Sequence, residues 1–259
     1  VAGLEMIFHV INAAQSAGVS HTTIVTSPIQ VDLRDNILAK ASDYNLTMTV
    51  QEQQLGTGDA VKAALPLAGN PDKVLILFGD TPLMRPDVLQ QMVGDSSDIT
   101  LLGFMTDTPG GYGRIICEDG KPIAIIEHKD ADEETRHIKL CNGGALAVNA
   151  TLLPDLLNGL ENNNAQSEYY LPDIVRLAHA QNISIGLVGC QQEDTLGVDT
   201  KTGLAKAEAL MQNRLRQKHL DNGVSMTAPE TVYFSYDTQI GPDSSIEPHC
   251  IFGVDVKIA

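Results

Sequence analysis

The chain has 259 residues, 43% of them hydrophobic, enough to bury one large α/β domain with a smaller appendage. Its 33 acidic against 17 basic residues leave a net charge of −16, which argues against nucleic acid or an anionic membrane as partner. Apolar runs such as Val74 to Phe78 have the length of buried strands, far short of the roughly 20 residues a membrane helix needs.

Ile7, Val10, Ile11 and Ala14 recur at helical spacing and predict a helix over Glu5 to Ser16, stopped by Gly18. The chain enters this amphipathic pattern at once and does not begin with Met, so it reads as a domain met in its middle. A β-branched strand over His21 to Thr26, a helix near Val31 to Ser42 and a strand over Leu46 to Val50 follow. After the loop Leu55-Gly56-Thr57-Gly58 comes an alanine-rich helix. Lys73 to Phe78 reads as a fully buried strand ending in Gly79-Asp80-Thr81-Pro82-Leu83. Gly113 to Cys117 and Pro122 to Ile126 form a predicted hairpin turned by Glu118-Asp119-Gly120-Lys121. Leu146 to Val148 sits in a strand, Thr151 to Leu160 and Pro172 to Ala180 are helices, Ile183 to Val188 is a late strand, and a polar helix runs from Thr202 to about Asp221. This alternation favours a mostly parallel sheet with helices on both faces.

The period then changes. Ile240, Ile246, Phe252 and Ile258 recur every six residues, with Ser244, Cys250 and Val256 at the same spacing. Period six is the mark of a hexapeptide-repeat parallel β-helix, which needs more repeats than these for stability and is expected to continue past Ala259. The predicted organisation is an α/β domain over residues 1–222, a linker over 223–234 and the start of the β-helix over 235–259.

Asp80 follows a buried strand and a glycine, which places a carboxylate where open α/β sheets bind ligands. Asp199 lies in the loop before the long helix. Each could instead cap a helix, Asp80 the one starting near Pro86 and Asp199 the long one. Together the two carboxylates suit Mg²⁺, which takes one or two carboxylates plus waters and substrate phosphates. The isolated His128, His137 and His179 do not make a zinc site, and the four scattered cysteines read as reduced thiols of a cytoplasmic protein. Neither a Walker pattern nor G-x-S-x-G is present. Amide side chains beside the 55–58 glycine loop could hold a nucleobase or phosphate. Gly111-Tyr112-Gly113-Arg114, Glu127-His128-Lys129-Asp130 and Asn142-Gly143-Gly144 combine polar groups with close backbone approach, and Asn162-Asn163-Asn164 reads as a solvated loop.

In this order, Gln51…Leu55-Gly56-Thr57-Gly58, Gly79-Asp80-x-Pro-Leu, Gly111-Tyr112-Gly113-Arg114, Glu127-His128-Lys129-Asp130-Ala131 and Asn162 through Tyr170 (NNNAQSEYY) resemble the bacterial bifunctional N-acetylglucosamine-1-phosphate uridylyltransferase/glucosamine-1-phosphate acetyltransferase family. The resemblance spans essentially the whole chain, and EHKDA and NNNAQSEYY are its most specific strings. It implies a Rossmann-like, glycosyltransferase A-like nucleotidyltransferase domain with a mixed, mostly parallel sheet, followed by the start of a left-handed parallel β-helix. It implies that Gln51, Gly56 and Thr57 hold uracil, that Phe78 and Gly79 line the nucleotide pocket, and that Asp80 and Asp199 bind Mg²⁺. Gly113, Glu127 and Asn142 would contact the amino-sugar, with Tyr170 near its N-acetyl group. The substrates implied are UTP and N-acetylglucosamine 1-phosphate, and the products UDP-N-acetylglucosamine and pyrophosphate. A homotrimer through the β-helix is also implied.

Phe78 stands where the family usually has Tyr, Asp199 where it usually has Asn, and Pro172 where it usually has Thr. The family's glycine-rich triphosphate loop should lie before Val1 and its acetyl-transfer site beyond Ala259, so this segment alone is expected to be inactive. A related hexose-1-phosphate nucleotidyltransferase and a non-catalytic nucleotide-sugar-binding or trimer-scaffold subunit are the competing readings.

Overall fold

The structure, a computed structural model, describes residues 1–41, 44–67 and 69–259. In chain order the elements are α1 (Met6–Ser16), β1 (Thr22–Thr26), α2 (Val31–Ala39), β2 (Leu46–Val50), α3 (Thr57–Ala64), β3 (Lys73–Ile76), α4 (Pro86–Gly94) and β4 (Ile99–Met105). They continue with β5 (Arg114–Glu118), β6 (Lys121–Ile126), α5 (Glu133–Arg136), β7 (Leu140–Asn149), α6 (Leu153–Asn158), α7 (Asp173–Ala180), β8 (Ile185–Gly189) and α8 (Lys201–Asp221). Four two-residue strands close the chain: β9 (Ser225–Met226), β10 (Gln239–Ile240), β11 (Ser245–Ile246) and β12 (Lys257–Ile258). The predicted end of the second helix, Ser42, lies outside the described residues. Among the described residues no helix is long and apolar enough to cross a membrane.

The chain divides into a larger unit, Ala13–Phe78 with Arg85–Gln192, and a smaller one, Val1–Asn12 with Gly79–Met84 and Glu193–Ala259. The larger unit holds a six-stranded sheet whose path runs β6-β5-β7-β4-β8, with β3 on β7, and a separate parallel pair, β1 with β2. The sheet is mixed, as expected. Within it β4 and β8 pair parallel, while the other described pairings are antiparallel, so antiparallel pairing prevails where mostly parallel pairing was expected. The cause is β7, a long returning strand that pairs against β4 on one edge and against β3 and β5 on the other. β3 is half-buried rather than fully buried. Its described ladder is on the β7 edge alone, which leaves its other side without a strand's side chains to cover it. β4 has six buried residues in a row, and with α6 and α7 it builds the main core around Ile99, Leu101, Leu156, Leu157, Ile174 and Val175.

β7 changes its edge partner at a bulge. Leu101 pairs with Leu146 and Gly103 with Asn142, so two extra residues, Gly143 and Gly144, are absorbed in β7. A Cβ on Gly143 would lie 2.8 Å from Leu102 Cγ, and Gly144 has φ +79° with the Phe78 ring 3.0 Å from where its Cβ would be. The Asn142 side chain bridges the bulge by accepting the Gly144 N–H at 3.1 Å. The β5–β6 hairpin turns through Asp119 and Gly120, both at positive φ (48° and 74°), as a two-residue turn that follows the strand twist requires. Pro172 precedes α7 in helical conformation, a position where no helical N–H is needed.

In the smaller unit the six-residue period is visible in the backbone. β10 pairs parallel with β12, and Tyr233 with Ile251, at an offset of 18 residues or three hexads, and β9 pairs parallel with β11. Asp243, His249 and Asp255 take left-handed conformations at six-residue intervals, at φ of 62–64°. Ile240 and Ile246 are buried with Phe234, Val232 and Leu215, and the Phe234 and Phe252 rings stack at 5.2 Å. Ile258 is 40% exposed, unlike the other members of its hexad series.

Gly144→Val is expected to destabilise the protein by roughly 2–4 kcal/mol, combining the left-handed backbone cost with overpacking against Phe78. The check is the urea midpoint, which should fall with an unchanged slope; a wild-type midpoint would mean that the bulge tolerates a side chain.

Candidate functional site

β2 delivers Gln51, whose backbone N–H donates to the Thr26 carbonyl at 2.8 Å and so extends the β1 ladder. The glycine loop that follows lies directly on the backbone of Tyr169. The Tyr169 N–H donates to the Leu55 carbonyl (2.7 Å), the Gly58 N–H to the Tyr169 carbonyl (2.8 Å), and the Leu171 N–H to Thr57 Oγ1 (3.0 Å). Only glycines permit this approach. Gly56 has φ +112°, and a Cβ there would sit 2.7 Å from the Tyr169 oxygen; one on Gly58 would sit 2.4 Å from a Leu160 methyl. The Gln51 amide Nε2 donates to the Gly56 carbonyl (3.0 Å) and to Asp59 Oδ2 (2.8 Å). Gln51, Gly56 and Thr57, singled out from the sequence, are thus brought together.

The same stitch leads on to Tyr170, which is 8% exposed and donates its hydroxyl to Gln166 Oε1 at 3.1 Å. Burial, with Asp130, Glu168 and Glu127 adding to it, pushes the phenol up to about 12. Asn164 corrects the reading of the asparagine run as merely a solvated loop. Its Oδ1 accepts the Gln166 and Glu168 N–H groups, each at 3.2 Å, and its Nδ2 donates to the Glu168 carbonyl at 2.5 Å. It therefore shapes the loop that carries Tyr169 and Tyr170. The next residue, Ala165, donates its N–H to Asp130 Oδ1 at 2.9 Å, joining the NNNAQSEYY string to the EHKDA string.

Glu127 begins that second string. Its Oε1 lies 3.0 Å from where a Gly113 Cβ would stand, and the Asn142 N–H donates to the Gly113 carbonyl at 2.9 Å. Gly113, Glu127 and Asn142 therefore form one cluster, to which the Gly144 bulge adds the Phe78 ring. The fully buried Arg114 anchors the loop before it by donating to the carbonyls of Gly110, Tyr112 and Arg136. Burial raises the Glu127 carboxyl above its ordinary value, with Asp130 and Asp173 adding and Arg114 opposing. Burial likewise raises Asp173, against the opposing effect of Arg176 and with Asp130 and Glu161 adding. A wall so rich in acceptors suits a ligand whose hydroxyls donate.

Gly79, Asp80 and Asp199 belong to the smaller unit. Gly79 makes room for Ile7, whose Cδ1 would be 2.8 Å from a Cβ there. Neither aspartate is a cap. The position before α4 is Arg85, without a capping side chain, and α8 is capped by Thr200, which accepts the Gly203 N–H. The Val198 N–H donates to the Asp80 carbonyl at 3.0 Å, and the Asp80 carboxyl is raised by desolvation and then by the Asp199 charge. Two carboxylates close enough that the Asp199 charge adds to the rise at Asp80, neither of them a helix cap, fit a divalent cation. Among the described residues no three His, Cys, Asp or Glu side chains gather as a metal site. Arg214 of α8 donates to the Leu83 carbonyl and to the buried Asp194, which ties down the Gly79–Met84 segment. Arg214, Asp59 and Asn164 were not recognised from the sequence: Arg214 acts through contacts remote in the chain, Asn164 through backbone groups, and Asp59 through a side chain eight residues before it.

The sheet is mixed, a glycine loop precedes a helix, and the chain belongs to the MobA-like NTP transferase domain family, whose model matches residues 1–142. Among the curated relatives it is similar to the bifunctional protein GlmU of Roseobacter denitrificans, 40% identical over 98% of this chain and 56% of that protein. It is likewise 42% identical to the protein of the same name from Parvibaculum lavamentivorans, over 95% of this chain and 55% of the relative, and 38% identical to that of Brucella anthropi, over 100% and 58%. The chain thus spans little more than half the length of these relatives. A solved UDP-glucose pyrophosphorylase in complex with UDP-glucose shares the fold, with a TM-score of 0.63 at 18% identity over 81% of this chain and 87% of that one.

Because the folded-state pKa of Glu127 is raised, its neutral form contributes stability that is present below its ordinary value of 4.5 and lost as pH rises through the folded value. Glu127→Gln is therefore expected to be more stable than wild type at pH 7, with the gain vanishing at acid pH below that value. Urea midpoints at the two pH values check this; a destabilised variant at pH 7 would mean that the charge is well solvated.

Proposed function

We propose that the chain is the uridylyl-transferring part of a sugar-nucleotide synthase, making UDP-N-acetylglucosamine and pyrophosphate from UTP and N-acetylglucosamine 1-phosphate. The observation that carries this reading is the single run of contacts through the larger unit. It passes from Gln51 and the glycine loop through Tyr169, Tyr170, Gln166, Asn164 and Asp130 to Glu127, Gly113 and Asn142. Every motif of the resemblance in the larger unit lies on that run or is tied to it, Gly79-Asp80-x-Pro-Leu belonging to the smaller unit, and the relatives carrying the name GlmU match over 95–100% of this chain.

In this reading Gln51, Gly56 and Thr57 receive the uracil ring, and Phe78 lines the nucleotide pocket. Gly113, Glu127 and Asn142 take the sugar hydroxyls, and Tyr170 packs near the N-acetyl group. In the smaller unit Gly79 leads into Asp80, which with Asp199 holds Mg²⁺. When bound, the cation supplies positive charge against the phosphate oxygens. The attacking phosphate oxygen of N-acetylglucosamine 1-phosphate is already anionic near pH 7, so none of these residues is required as a general base. Their work is positioning and charge neutralisation, the usual division at phosphorus. Glu127, held in a desolvated place, accepts from a sugar hydroxyl more strongly than a solvated carboxylate does. We further read residues 1–222 as the nucleotidyltransferase domain, 223–234 as a linker, and 235–259 as the first coil of a parallel β-helix that would associate in threes. The 18-residue parallel ladders and the left-handed residues at six-residue intervals support that last part.

Calorimetric titration of the chain with UDP-N-acetylglucosamine, with and without Mg²⁺, tests the reading. Saturable binding that Mg²⁺ strengthens is expected, and Asp80→Ala should remove the Mg²⁺ effect while leaving the metal-free affinity within about twofold, because the sugar and base contacts lie elsewhere. A folded chain that binds no UDP-N-acetylglucosamine would overturn it.

A further inference from the structure

The orientation of the Gln51 amide is settled by its neighbours. Nε2 faces two acceptors at once, the Gly56 carbonyl at 3.0 Å and the Asp59 carboxylate at 2.8 Å. Turning the amide over would set Oε1 against both, two acceptor–acceptor contacts in a half-buried place. Both N–H donors of Gln51 are therefore committed to the protein, and the atom left to meet a ligand is an acceptor. The Gly56 carbonyl is a backbone group, on a residue at φ +112° that packs against Tyr169, and no side-chain substitution removes it. Asp59, in the first turn of α3, is the partner that a substitution can remove.

We infer that Asp59 is a positioning residue for base selection: by holding the Gln51 amide with Oε1 outward, it makes the site accept a pyrimidine that offers an imide N–H and reject one that offers a ring lone pair. This rests on the reading that Gln51 meets the nucleobase. Uracil carries N3–H, a donor that Oε1 can accept. Cytosine carries an unprotonated N3 in the same place, and two lone pairs would face each other. A site built to accept a donor discriminates strongly against a ligand lacking it, because the buried acceptor is left unsatisfied. The Gly56 carbonyl alone holds the amide less firmly, so loss of Asp59 would let Gln51 turn toward whichever base is present.

The experiment compares the affinities of UDP and CDP for the 259-residue chain and for Asp59→Ala and Asp59→Asn. Wild type is expected to prefer UDP; Asp59→Ala should shrink the UDP:CDP ratio roughly tenfold, the worth of one charged hydrogen bond. Asp59→Asn, whose Oδ1 can still accept from Nε2, should keep the ratio. A general loss of stability would lower both affinities together and leave the ratio unmoved, so the ratio reports positioning. An unchanged ratio in Asp59→Ala overturns the role of Asp59 while leaving the uracil reading intact. Folded wild type that binds neither nucleotide, or both equally, overturns the uracil reading and this inference with it. Should Asp59→Ala not fold, the side-chain N–H signals of Gln51 in wild type decide the point. They should be hydrogen-bonded before UDP is added and unshifted after, and a large shift on binding would show them donating to the base instead.

Discussion

The larger unit depends on two chain segments, more than a hundred residues apart, touching backbone to backbone. The Leu55–Gly58 loop and Tyr169–Leu171 exchange three hydrogen bonds of 2.7–3.0 Å, one through Thr57 Oγ1, and the approach is possible only because Gly56 and Gly58 have no side chains where Tyr169 and Leu160 pass. A single methyl on either glycine would meet atoms inside van der Waals distance. Gln51 and Tyr170 both hang from that contact. On one side it fixes the Gly56 carbonyl that orients Gln51; on the other it fixes the start of Tyr170, whose hydroxyl reaches Gln166 and so the loop shaped by Asn164. Glycine here works by permitting contact rather than by supplying flexibility.

The electrostatics follow the same division. The neighbourhood of Glu127, Asp130 and Asp173 is acceptor-rich and partly desolvated, and burial pushes the Glu127 and Asp173 carboxyls above their ordinary values. Such a surface costs stability when the protein is alone and is repaid when a ligand's hydroxyls donate into it. It would repel a phosphate. The separate pair Asp80 and Asp199 has the same excess of negative charge without acting as helix caps, and a divalent ion is the natural counter-charge. A chain with a net charge of −16 thus concentrates unfavourable charge at defined places, where it can be put to use.

Much of this was readable from local pattern. The helix over Met6–Ser16 and the Asp119-Gly120 hairpin each follow from short-range spacing, and the structure realises both within a residue or two. The run Ile99–Met105 was passed over, although it is the strand buried most deeply, because a strand covered on both faces shows no alternation to detect. The sense of pairing in the sheet was misjudged for a related reason: β7 is interrupted by Asn142-Gly143-Gly144, which reads locally as a turn but is a bulge inside one ten-residue strand. At the site, Gln51, Gly56, Glu127 and Tyr170 stood out by their strings. What the sequence could not display is who holds them. Asp59 looks like an ordinary first-turn acid, and Asn164 like one of three equivalent asparagines, until the fold brings their partners within reach.

The central claim is that the glycine loop and Tyr169–Leu171 form one pre-built cradle. Amide hydrogen exchange of Gly56, Thr57, Gly58, Tyr169 and Leu171, with and without UDP-N-acetylglucosamine, tests it most directly. The account expects Gly58, Tyr169 and Leu171 to be protected in the free chain, and Gly56 and Thr57 to gain protection when ligand is added. Rapid exchange at Gly58 and Tyr169 in the free protein, or no change at Gly56 and Thr57 at saturating ligand, would contradict it.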